Sequence, residues 1–80
     1  YMSQFKVILA LKAQAKADKA KALMSLELLT TNGVGIGDHT ANDYLKDATE
    51  SLTLLVDADD RLSAIALYFP EDNPIKAING

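Results

Sequence analysis

At 80 residues the chain reads as one domain, 1–80, and a chain this short buries a marginal core unless something else supports it. Having no cysteine, it excludes disulfides and thiolate zinc sites, so support has to come from idealised packing or from a second copy. A net charge of −3, and the lack of any uncharged apolar run near the ~20 residues that span a bilayer, argue against a dedicated nucleic-acid binder and against a membrane protein.

The N-terminal segment has Lys6 ahead of Val7-Ile-Leu-Ala-Leu11, a run soon cut by Lys12 and too short for a signal peptide, so a cytoplasmic protein is expected. Met2 reads as the natural start, with Tyr1 ahead of it. Through Asn32 there is no Pro or Gly, and Ala, Leu, Lys and Met dominate, which predicts a helix over about 4–31. Ser3 is placed to cap it, with Met2 and Val7 as a hydrophobic staple and Gly33 as its left-handed terminator. Ala10, Ala13, Ala17, Ala20 and Met24 form a stripe of small residues suited to a close neighbour. Phe5, Ile8, Leu23, Leu26 and Leu29 lie on another side, so one partner cannot cover all of this helix.

Asn32-Gly-Val-Gly-Ile-Gly-Asp-His39 follows, with three glycines and the only histidine of the chain. Gly35, Gly37, Asp38, His39 and Thr40 are the candidate ligand site here, because glycine-rich backbone ahead of a helix N-terminus can cradle an anion. The segment is neither GxxxxGK[ST] nor GxGxxG and no strand precedes it, so a connector plugged by Val34 and Ile36 is the stronger reading.

Thr40-Ala-Asn-Asp43 has the form of a capping box and predicts a second helix over about 41–69, stopped by Pro70. Ala41, Leu45, Ala48, Leu52, Leu55, Asp59, Leu62, Ala66 and Phe69 recur at alternating steps of four and three, a heptad stripe broken only by Asp59. Residues 70–80 read as an extended tail, in which Ile75 and Ile78 can dock back on the bundle.

The fold class expected is therefore all-α, a long antiparallel helical hairpin dimerising into a four-helix bundle, with Leu26, Leu29, Leu45, Leu52, Leu55 and Leu62 in its interfaces. Folding about residues 35 to 36 sets Phe5 against Ala66, Leu9 against Leu62, Leu23 against Ala48 and Leu26 against Leu45, large facing small. Asp59 then falls opposite Lys12 to Lys16. Charge supports the pairing. Residues 1–32 carry five lysines against Asp18 and Glu27, a net +3, whereas residues 40–69 carry Lys46 and Arg61 against six acids, a net −4.

Other chemistry is weak. Asp43, Asp47 and Glu50 share a helix face in the manner of metal-binding carboxylates, but they sit opposite the apolar stripe and should face water. Asp57-Ala-Asp-Asp-Arg61 lacks the Gly and the terminal Glu of a calcium loop. Lys12, Lys16, Lys19 and Lys21 lack the arginine and aromatic neighbours of a nucleic-acid surface. A single histidine offers no pair for a metal. Neither a cofactor nor a metal nor a catalytic residue is expected.

Ala17-Asp-Lys-Ala-Lys-Ala22, the turn through His39 and Asp57-Ala-Asp-Asp-Arg-Leu62 resemble small uncharacterised proteins of T-even-like tailed phages, including those of cyanobacteria, over about residues 15 to 69. Gly33 departs from them, standing where they carry proline. The resemblance implies a phage origin and a hairpin, and carries no activity. The expected function is a non-enzymatic interaction or structural module, paired with itself and acting on a phage or host protein. The alternative is an anion-, nucleotide- or metal-binding protein or enzyme using Gly33–His39 with the acids of helix two.

Overall fold

The computed structural model describes residues 4–32 and 41–70. It contains two helices, α1 over Gln4–Asn32 and α2 over Ala41–Tyr68, packed against each other. Both match the predicted spans to within a residue. The bend at Phe69, ahead of Pro70, follows from the loss of helical freedom before proline, and the Phe69 amide still donates to the Ile65 carbonyl at 2.9 Å. Near the other end of the hairpin, Thr30 and Thr31 turn their hydroxyls onto the Glu27 carbonyl at 2.9 and 2.8 Å. The caps assigned to Ser3 and Thr40, the stop at Gly33 and the docking of Ile75 and Ile78 lie outside the described residues.

The helices run antiparallel. Phe5 and Ile8 share a groove with Tyr68 and Phe69, and Leu28 and Leu29 lie beside Asp47 and Glu50. Their seam follows two rows at alternating steps of four and three. On α1 the row is Ile8, Lys12, Ala15, Lys19, Ala22, Leu26 and Leu29, and on α2 it is Tyr44, Ala48, Ser51, Leu55, Ala58, Leu62 and Ile65, all buried or half-buried. At its middle Ala15, Ala22 and Ala58 are 0% exposed, which lets the two backbones come close.

This corrects the expected faces in two ways. The small-residue stripe Ala10, Ala13, Ala17, Ala20 and Met24 does not form the seam: all five are exposed. Ala15 and Ala22 take that role because Ile8 and Leu29 bracket them at seven-residue spacing and add apolar area that the other row lacks. On α2 the seam is rotated away from Leu45, Leu52, Asp59 and Ala66, which are exposed, while Ala48, Leu55 and Leu62 keep their place. Centring the predicted stripe would have buried the Asp59 carboxylate, and the rotation carries it to the edge where water and a lysine solvate it.

The register is also corrected. Lys19 meets Asp59 at 2.9 Å, and Arg61 meets Asp18 at 2.7 Å. A fold about residues 35 to 36 would have set Lys19 level with Leu52, so α2 has slid by about two turns. Asp59 does pair with a lysine of α1, as expected, but with Lys19 and not with Lys12 or Lys16. In the observed register Ala15 lies level with Leu62, Ala22 with Leu55, Leu26 with Ser51 and Leu29 with Ala48. Large still opposes small, in a different set of layers.

The buried alanines carry a direct test. Ala22→Leu should overpack the seam and cost about 1–3 kcal/mol, seen as a lower midpoint of thermal unfolding by circular dichroism. Ala17→Leu, on the exposed side, should leave the midpoint unchanged or raise it.

Candidate functional site

At about 100° per residue the two helices share two flanks beside their seam, and these differ in chemistry. One flank is charged. Arg61 reaches across with Nη2 to the Asp18 carboxylate at 2.7 Å and along its own helix with Nε to Asp57 at 2.9 Å, while the Gln14 amide donates to Asp18 at 3.1 Å. Four side chains from both helices thus form one connected group, and it holds the register.

Hydrogen bonding from Arg61, then from Gln14, lowers the pKa of Asp18 below the ordinary aspartate value, against a smaller opposing effect of burial. The bond to Asp18 in turn raises that of Arg61. Sequence reasoning paired the halves by net charge but did not single out Asp18 and Arg61. The signal was there in the seven-residue row Tyr44, Ser51, Ala58 and Ile65, which puts Arg61 at the seam edge.

The other flank is apolar. Lys19 and Asp59 bridge it at its middle, half-exposed. Leu23 lies one turn beyond Lys19, Leu52 two turns before Asp59 and Val56 one turn before it, so all three share this flank. Phe5 and Leu9 continue the row on α1 and Leu45 and Ala66 on α2. These large side chains are open to solvent, Leu45 at 64% and Leu52 at 52%. At the open end of the hairpin the same flank deepens into a groove of about 640 Å³ between Phe5, Ile8, Leu9 and Lys12 on one side and Leu62, Ile65, Ala66, Tyr68 and Phe69 on the other.

Among the described residues no side chain larger than alanine is fully buried. Among the described residues, one flank carries the Asp18–Arg61 pair together with exposed Val7 and Leu11, and the other carries the Lys19–Asp59 pair between exposed leucines.

The sequence-derived candidates divide accordingly. Leu26, Leu29, Leu55 and Leu62 are half-buried along the seam, and Leu45 and Leu52 stand on the exposed flank. Gly35, Gly37, Asp38, His39 and Thr40 lie outside the described residues. Asp43, Asp47 and Glu50 are exposed, and no group of three or more metal-ligating side chains comes together among the described residues. Among those residues no helix is long and apolar enough to cross a membrane. Comparison of the chain with protein-family models, curated proteins and solved structures finds no match.

The Asp18–Arg61 pair predicts a pH dependence. A carboxyl whose folded pKa is depressed stabilises the fold above its unfolded value and loses that contribution as pH falls through the folded value, so stability should decline below about pH 4. Asp18→Asn should lose less stability than the parent between about pH 6 and about pH 3, measured by urea unfolding at each pH. Superimposable profiles would remove the pair from the account.

Proposed function

We propose that the chain is a non-enzymatic protein–protein interaction module that works as a homo-oligomer. The observation that carries this reading is the exposed flank on which Phe5 and Leu9 lie to one side of the Lys19–Asp59 bridge and Leu23, Leu45, Leu52 and Val56 to the other, beside a seam whose fully buried members are alanines. Apolar surface of this extent marks an interface, and a pair of helices with so small a core gains from being covered. α1 supports the same reading, since its apolar residues are spread round its whole circumference, a pattern found in helices surrounded by others. Association with tailed-phage proteins is proposed on the resemblance of the turn and helix pattern alone, with a phage or host protein as the further partner.

Charge placed in the flank tests it. Leu52→Glu combined with Val56→Glu should weaken self-association by ~100-fold or more, read as a fall in mass by light scattering at fixed concentration. Ala64→Glu, on the outer arc of α2, should leave the mass unchanged. A parent protein already of single-chain mass at high concentration would defeat the reading.

A further inference from the structure

We infer that two copies pair flank to flank into a four-helix bundle in which α1 of each copy lies on α2 of the other, with the two-fold axis parallel to the helices and both turn ends together. This rests on the self-association reading and adds which helices meet, which way they run and where the axis lies.

Area admits a second copy as the occupant. A helix of 29 residues at 1.5 Å per residue is ~43 Å long, and two helices abreast are ~18–20 Å wide, so the flank covers ~800 Å² per partner, the size of a standard stable interface.

Charge then chooses between the two ways a two-fold can stack such flanks. With the axis parallel to the helices, α1 faces α2 of the other copy. With the axis across them, α1 faces α1 and α2 faces α2. Residues 4–32 carry a net +3 and residues 41–68 a net −4, so only the first arrangement gives every helix unlike neighbours.

The layers along the flank make the same choice more sharply. On α1 the polar members Lys12, Lys16 and Lys19 occupy the middle, with Phe5 and Leu9 on one side and Leu23 on the other. On α2 the polar members Asp59 and Ser63 lie at the same height, because Lys19 meets Asp59 within one chain. Turning one copy about an axis parallel to the helices preserves height. Lysines of each copy then meet Asp59 of the other, leucines meet leucines, and the Lys19–Asp59 pairs join into one crossed band. Turning it about a perpendicular axis either sets lysine on lysine and aspartate on aspartate or presses the lysines against Leu23, leaving charges covered and unpaired.

Distances between spin labels read the axis directly, and the absence of cysteine in the parent lets each label be unique. Asn42 near the start of α2 and Thr53 near its middle are both exposed and lie within ~20° of each other on its outer arc, so Asn42→Cys and Thr53→Cys sample two heights on one line. An axis parallel to the helices makes the label-to-label distance independent of height, and the two variants should agree to within ~5 Å. A distance for Asn42 longer than that for Thr53 by ~20 Å or more would overturn the arrangement while leaving self-association standing. No dipolar coupling at either site would overturn self-association itself. Should Asn42→Cys disturb the helix content by circular dichroism, Lys46→Cys takes its place in the same comparison.

Discussion

Two helices can bury only one stripe on each, and this chain has more apolar residues than one stripe can hold. α1 carries them on every side, and α2 carries them over a broad arc from Leu54 to Val56, within which Asp47 and Asp59 also fall. The seam accommodates the two rows that bring alanines to its centre. The remaining apolar residues lie on both flanks, as Leu52 does on one and Leu11 on the other, and on the outer sides of both helices, as Met24 and Leu67 do. The exposure of so many large apolar side chains on the two described helices follows from that single shortage of partner surface.

The polar residues accept this geometry and set its register. A heptad pattern is unchanged by sliding one helix two turns along the other, so apolar periodicity alone leaves several registers of nearly equal merit. Arg61 breaks the tie by joining Asp18 to Asp57, and Lys19 does the same with Asp59 on the opposite edge. Each such pair, half-exposed, adds little to stability, but the wrong register would separate all of them at once. The buried alanines have the same effect by shape, since each lies level with a leucine or a lysine stem.

How much of this could be read from the sequence follows from the same physics. The helices were legible because their signals are local: no Pro or Gly through Asn32, an acid in the first turn of α2 and Pro70 at its end. The hairpin and the attraction of its halves were legible from charge. The seam face was not, because both helices offer two rows at heptad spacing, and Ala10 to Met24 or Leu45 to Leu52 fit the template as well as the rows used. The energetic detail that decides, keeping the Asp59 carboxylate at an edge, depends on where Lys19 sits, which is a property of the pair. The register failed for a related reason: it was set by the numerical centre of the turn and not by the ion pairs. Of the candidate site, the surplus of apolar surface was visible in the sequence, but Leu45 and Leu52 were expected in the seam, and their place on an exposed flank required the true seam.

We propose that folding and self-association of this chain are coupled, because the only fully buried side chains of its described helices are alanines. The most direct measurement is the thermal unfolding midpoint of the unmodified protein, followed by circular dichroism over a wide range of protein concentration. An obligate dimer is stabilised by mass action, so the midpoint should rise steadily with concentration. A midpoint independent of concentration, in a protein fully helical when dilute, would contradict the account.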